Sequence, residues 1–321
     1  MRLSRVLAGM LAAGTAVLGA GAHSQESSYP SKVIRIVTAA PGSNNDWGAR
    51  LLADEISPSL GQRLIVENRG GLAAEAVAKS SPDGYTVLFY GPAAWTQQLF
   101  RPTGYDPVRD LAPVTLAMTS PIVLVVHPSL PVRSVKELIA LARARPGDLN
   151  YASGTIGATP FIAGELFKHM ARVEIVRVPY SGTGPSMIGL LSGEVELMFP
   201  GAGSVWHFVQ QNRLRALGVA STRPSPLTPG LQPIALTVPG YEAISMIAFF
   251  VPARTPAPIV TRLNRELVTA LGRTDVRERL LKGGVEAVGS SPEELGAYVK
   301  ADIAKIEVLV KSAGLGASER R

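Results

Sequence analysis

A chain of 321 residues with 46% hydrophobic and 18% charged side chains is long enough to bury two cores of ordinary size, and its composition excludes intrinsic disorder. It has no cysteine, which rules out a disulfide framework, a thiol nucleophile and a lipidated cysteine. The formal charge of +7 comes from Lys and Arg spread along the chain, not clustered beside aromatics. That pattern speaks against nucleic-acid binding and for a solvated surface with a mild preference for anions.

The N-terminus reads as a secretory signal peptide over residues 1–22. Arg2 and Arg5 form a basic start, residues 6–18 are a small-residue apolar run, and Ala20-Gly21-Ala22 is a cleavage site of the A-x-A kind. The apolar run is shorter than the ~20 residues a membrane span needs. No later segment reaches that length without charges, so the mature chain is expected to be soluble and exported to a bacterial periplasm. Removal of the leader lowers the net charge by two.

Beyond it, short apolar strands alternate with helices. Strands are expected at 33–37, 64–66, 86–90 and 112–116, and helices at 47–57, 73–79 and 94–99. A second series follows Pro121: a strand at 122–126, then Ser134-Val135-Lys136-Glu137 as a capping box opening a helix to about 143. Next come a strand at 149–152, a glycine-broken loop at 153–158 and a helix opening at Thr159-Pro160, read as N-cap and first helical position. Strands at 174–178, 195–199 and 215–219 enclose helices at 185–191 and 205–211. Residues 221–239 contain five prolines and read as an irregular connection. An apolar strand at 244–251 then leads to helices at 257–271, 275–282 and 293–311, the last capped by Ser291 with Pro292 at its first position.

This alternation argues for an α/β fold. The simplest assembly has two α/β lobes: residues 23–121 and 250–321 form the first, and 122–249 the second. The chain crosses twice, near 121 and near 249, which makes a hinge with a ligand cleft.

Catalytic chemistry is hard to find. There is no G-x-S-x-G elbow, since Ser204 has Ala202 and Trp206 where the glycines belong. His23, His127, His169 and His207 show no H-E-x-x-H spacing, and no cysteine completes a zinc set. Gly182-Thr183-Gly184 begins like a dinucleotide fingerprint but has Met187 where its last glycine belongs. Glu165 and Glu174 are separated on a helix and a strand and are read as structural. Neither a metal nor a cofactor is expected.

What remains is a pair of glycine-rich helix starts. The first runs through Ala39-Ala40-Pro41-Gly42-Ser43-Asn44-Asn45-Asp46, with Asp46 able to close a box around Ser43. The second brings the hydroxyls of Ser153, Thr155 and Thr159 beside free amides. Unpaired amides and the positive end of a helix dipole hold a carboxylate or phosphate, so the two loops are expected to face each other and grip one small anion.

The chain resembles the substrate-binding receptors of tripartite tricarboxylate transporters, the Bug receptors. The resemblance is carried by Tyr29-Pro30-Ser31-Lys32, Val66-Glu67-Asn68-Arg69, Ser81-Pro82-Asp83-Gly84-Tyr85 and Tyr105-Asp106-Pro107-Val108-Arg109-Asp110. It continues through Leu149-Asn150-Tyr151-Ala152-Ser153, Ala163-Gly164-Glu165-Leu166-Phe167, Val178-Pro179-Tyr180 and Pro239-Gly240-Tyr241, and so covers essentially the whole mature chain. It implies a type II periplasmic binding-protein fold, closing without catalysis on a small carboxylate. The expected partners are the integral-membrane permease subunits of such a transporter, or a sensor protein in their place, with the receptor itself monomeric. An exported enzyme on the same scaffold is the alternative from another class.

Pro41, Gly42, Ser43, Asn44, Asp46 and Gly91 are expected on the first-lobe side of the ligand, with Pro41, Gly42 and Asp46 matching the family's first loop. Ser153, Gly154, Thr155, Gly157, Thr159, Tyr180, Gly182 and Pro200 fall on the second. In this chain Ser43 replaces a second glycine, Ile156, Ala158 and Pro160-Phe161 replace polar residues, and Pro200-Gly201 stands where relatives carry an aspartate. These departures predict apolar surface at Ile156, Phe161 and Trp206, hence an aromatic or branched carboxylate. They also argue against a ligand ammonium, which would need a buried countercharge.

Overall fold

A computed structural model of the chain describes residues 29–222 and 224–316, so the leader expected at 1–22 lies outside the described residues. The first elements are β1 (Ile34–Thr38), α1 (Asn44–Leu60), β2 (Leu64–Asn68), α2 (Ala73–Ala78), β3 (Thr86–Tyr90), α3 (Ala93–Thr96) and β4 (Leu111–Pro121). A second series comprises β5 (Val123–Val126), α4 (Val135–Ala144), β6 (Asn150–Ser153), α5 (Thr159–Ala171), β7 (Val176–Pro179), α6 (Thr183–Ser192), β8 (Leu197–Met198), α7 (Ala202–Gln210) and β9 (Arg215–Val219). The chain then forms β10 (Ile244–Pro252), α8 (Ala257–Gly272), α9 (Thr274–Lys282), β11 (Glu286–Ala287) and α10 (Pro292–Ser312).

Two sheets result, ordered β11-β4-β10-β3-β1-β2 and β7-β6-β8-β5-β9. In the first, β1 lies parallel between β2 and β3, while β10 runs antiparallel to β3 and β4. In the second, β6 is parallel to β7 and β8, and β5 is antiparallel to β8 and β9. Both sheets are covered on both faces, which is why their strands read as continuous apolar runs. Ile34 and Ile36 pack with Leu52 of α1 and Leu263 of α8, whereas Val37 packs on the other face with Val77 of α2 and Val299 of α10. The same alternation in β5 sends Leu124 and Val126 towards α4 and α5, and Val123 and Val125 towards α6 and α7.

The two crossings lie side by side. Ile244 pairs with Pro121, and the Ala220 amide donates to the Ile122 carbonyl at 2.8 Å. The return crossing therefore falls at Ala243–Ile244 and not near 249. β10 is paired with β4 from its first residue, while the Ala243 amide still bonds to Ala220 of the second lobe at 2.9 Å. The same pairing extends β4 to Leu111–Pro121, well past the expected 112–116. Away from the crossings the lobes also meet at an apolar cluster, where Phe100 and Phe161 stand edge to face at 5.0 Å beside Ile306 and Leu309 of α10.

Candidate functional site

The loops that precede α1 and α5 face each other across the gap between the lobes. A Cβ placed on Gly182 would stand 3.0 Å from the Ala40 methyl, and one on Gly71 would stand 3.5 Å from the Thr155 methyl. The molecule is thus closed, with a cavity of about 90 Å³ between its halves.

On the first lobe, Ser43 caps α1, so the helix begins at Asn44, ahead of the expected 47. Its hydroxyl accepts from the Asp46 amide at 3.2 Å and donates to the Ala40 carbonyl at 2.9 Å. The Asp46 carboxylate accepts from the Gly42 amide at 3.2 Å, from Asn68 Nδ2 at 2.9 Å and from Arg50 Nε at 3.1 Å. The reciprocal bond expected at Ser43 is made at Gly42 instead. Burial pushes the Asp46 pKa up, but the bonds from Asn68, Arg50 and Gly42 outweigh it and hold the group below the usual carboxylate range. Asp46 is a brace inside its own lobe. The amides of Asn44 and Asn45, at the first two helical positions, find no acceptor among the described residues, and both residues line the cavity.

The second loop is built differently. Ser153 is fully buried and accepts from Arg177 Nε at 2.7 Å, and the same guanidinium donates to the Gly154 carbonyl at 2.8 Å. Gly157, at φ 81°, passes under the first lobe, where Thr96 Oγ1 donates to its carbonyl at 2.8 Å. The helix cap expected at Thr159 is Ala158, because its amide closes a turn onto the Thr155 carbonyl at 3.1 Å and its backbone is extended. That shift of one residue leaves Thr159 Oγ1 buried and without a hydrogen-bond partner, on a side chain 5% exposed at the cavity wall. An unsatisfied buried hydroxyl is costly, so its presence in the wall points to a ligand acceptor.

Two further helices start at the same place. Ser181, Gly182 and Thr183 open α6, while Gly201 and Ser204 open α7, so four helices of nine residues or more turn their N-termini to one cavity. The rear wall is made by Tyr90, Gly91, Pro92 and Ala93 after β3, with Ile122 and Ser245. Among the described residues, no Asp, Glu, Lys, Arg or His side chain lines the cavity. Burial pushes the Tyr90 phenol up to about 12, and it donates to the Gly70 carbonyl at 2.8 Å. Each helix start carries roughly half a positive charge, so the cavity favours an anion without a formal cation, and it has no carboxylate to receive an ammonium.

Of the residues expected at the ligand, Ser43, Asn44, Gly91, Gly154, Thr155, Thr159 and Gly182 line this cavity. Asp46 lies behind it on the first lobe, whereas Pro41 and Gly42 are exposed at its edge, and Gly42 lines a neighbouring space together with Trp47. Ser153, Gly157 and Pro200 are buried behind it on the second, where the Pro200 carbonyl accepts from the Val123 amide at 2.9 Å. Tyr180 is turned onto Gly189 of α6. Tyr90, Ser181, Thr183, Gly201, Ser204 and Ser245 were absent from the expected set. The strand-glycine-helix pattern could have revealed those around Gly182 and Gly201, whereas Ser245 sits in a strand with no such signal.

Ile156, Phe161 and Trp206, where apolar surface was expected, do not line this cavity. Phe161 is buried under Phe100, with the Arg177 guanidinium 5.0 Å from its ring centroid, and Ile156 joins the same cluster. α5 turns that face towards α10, away from its own N-terminus. Trp206 lies beside Pro128 and Arg215, on another part of the second lobe.

Comparison with known proteins places these features. The family profile described as "Tripartite tricarboxylate transporter family receptor" matches residues 48–315. A UPF0065 protein from the tcbD-tcbE intergenic region of Pseudomonas sp. (strain P51) is 34% identical, over 98% of this chain and 96% of its own length. Protein BugT of Bordetella pertussis is 32% identical, over 98% of this chain and 99% of its own. Among solved structures, R. palustris Rpa4515 with adipate is similar at a TM-score of 0.86 and 36% identity, over 90% of this chain and 99% of that one. MatC (Rpa3494) from Rhodopseudomonas palustris with bound malate gives 0.83 and 28%, over 88% and 100%.

Proposed function

The chain belongs to the tripartite tricarboxylate transporter receptor family, and from that premise we propose that it closes its lobes on the carboxylate of a small molecule and delivers it to a transporter's integral-membrane subunits. The family is one of solute receptors and not of catalysts. Two solved relatives carry carboxylates, adipate and malate. The observation that carries the reading for this chain is the convergence of four helix N-termini around the unpartnered Thr159 hydroxyl.

In this reading the ligand carboxylate accepts from the Asn44 and Asn45 amides on one side and from Thr159 Oγ1 and the Thr183 amide on the other. Ser43, Gly91, Gly154, Thr155 and Gly182 shape the walls. Asp46, Ser153, Gly157 and Pro200 hold those walls from behind, with Pro41 and Gly42 at their edge. The receptor works as an exported monomer. The leader pattern at 1–22 supports export, as does a solved relative described as the periplasmic binding protein BugD, 28% identical with a TM-score of 0.85. No helix among the described residues is long and apolar enough to cross a membrane.

A thermal-shift screen against mono-, di- and tricarboxylates, followed by calorimetry, tests this directly. At a hundredfold excess over the dissociation constant, a true ligand adds about 2.7 kcal/mol of stability. A panel in which no carboxylate raises the melting temperature would overturn it.

A further inference from the structure

The cavity among the helix starts is small for a whole solute. Its volume of about 90 Å³ compares with ~300–1,000 Å³ for ordinary small-molecule sites. It shares Ser43, Asn44, Thr183 and Ser204 with a neighbouring space of about 680 Å³ at the mouth of the cleft. The character of that second space is different. Trp47 of α1 forms one wall, its indole laid flat against Gly283, where a Cβ would not fit. Met187, Ile188 and Leu191 of α6, with Phe208 of α7, form the other.

These walls are apolar and incompletely covered: Ile188 is 70% exposed and Trp47 37%. Among the described residues no Asp, Glu, Lys or Arg lines the space, and its one titratable side chain is His207. Because Trp47 belongs to the first lobe and the α6 and α7 residues to the second, the closed molecule places both halves of the wall around one volume. A ligand that is charged throughout would fill the amide cavity and leave this surface in water. One with a single charged end would cover it.

We propose that the physiological ligand is an amphiphilic monocarboxylate: its carboxylate sits among the helix starts and its aromatic or aliphatic body lies across Trp47, Met187, Ile188, Leu191 and Phe208. The inference rests on the receptor reading above and adds the solute's class. A second carboxylate lying against Met187, Ile188, Leu191 and Phe208 would meet no donor on those four side chains, and away from the shared residues the side-chain donors are the Trp47 indole and the His207 imidazole, with no Lys or Arg. The apolar part of the site thus comes from α1, α6 and α7, not from the start of α5.

The experiment is calorimetry on the mature chain with propionate, 3-phenylpropionate, hexanoate, succinate and citrate as probes. Each fully buried methylene is worth roughly a fourfold gain in affinity, so hexanoate, with three more than propionate, should bind up to about 60-fold tighter, and 3-phenylpropionate at least as tightly as hexanoate. Ile188→Ser, at a position too exposed to threaten folding, should narrow the ratio between 3-phenylpropionate and propionate by about threefold to fivefold. Equal affinity for those two acids, an unchanged ratio in Ile188→Ser, or tighter binding of succinate or citrate would overturn the amphiphile while leaving a carboxylate receptor standing. Failure of every acid to bind would overturn both.

Discussion

The loop before α1 satisfies itself within its own lobe, whereas the loop before α5 leans on the other one. Ser43 caps Asp46, and Asp46 is held in turn by Gly42, Asn68 and Arg50. The second loop has no side-chain cap, and its outward contacts run to Thr96, Gln97 and Gly71 across the gap. Two helix starts with the same task are therefore prepared differently. The first is held by bonds within its own lobe; the second also takes bonds from the other. Substitutions in the first should act on stability, and substitutions in the second on binding.

The largest effect is expected where the second loop passes under the first lobe. In Gly157→Ala the new Cβ would stand 2.9 Å from Thr96 Oγ1 and 3.0 Å from Gln97 Cα, at a φ of 81° that itself costs ~1–2 kcal/mol for a residue with a side chain. Calorimetry should show ligand affinity falling roughly 30-fold or more, with far-UV circular dichroism unchanged. Undiminished affinity would mean that the second loop does not depend on closure.

Asp46→Asn should act the other way round. Loss of the charge-assisted brace lowers unfolding stability at pH 7 by about 1–2 kcal/mol, with affinity changed less than threefold. The folded pKa of Asp46 is lowered relative to the unfolded value of ~3.9. Its contribution is therefore complete above that unfolded value and is lost as pH falls through the folded one. Urea unfolding should show the gap between wild type and variant shrinking from pH 7 to pH 3. A gap that stays constant would remove Asp46 from that role.

Thr159→Val sharpens the contrast further. The hydroxyl has no hydrogen-bond partner among the described residues, so the melting temperature without ligand should hold or rise slightly. Affinity should fall about fivefold to tenfold, the worth of one hydrogen bond of ~1 kcal/mol. A drop in the melting temperature of the free protein would make the hydroxyl structural. The smallest effect belongs to Tyr180→Phe, expected to move affinity less than about twofold. A larger loss would put the phenol at the ligand and away from Gly189.

Much of this architecture was legible in the amino-acid order. The alternation of apolar runs with capped helices located the two lobes, and the clustering of glycine and hydroxyl residues at 41–46 and 153–159 marked two of the four helix starts. Tertiary pairing was not legible. The return crossing shifted to Ala243–Ile244 because β10 hydrogen-bonds to β4 over its whole length, a long-range contact that local pattern cannot reveal. Phe161 was misplaced for a similar reason. Its partners are Phe100 and residues of α10, distant in sequence. Trp47, Ile188 and Phe208 read as ordinary members of amphipathic helices, and only the meeting of the lobes brings them to one mouth.

One consequence follows from the lining of the amide cavity. The amide cavity itself is made of peptide dipoles, and among the described residues its one ionisable side chain is a phenol held near 12, so its grip on a carboxylate has nothing to gain or lose between about pH 6 and 9. A solute that stays ionised over that range would be counted by its concentration alone. For the exported receptor proposed above, capture of the charged end would then follow the supply of solute and not the acidity of its surroundings.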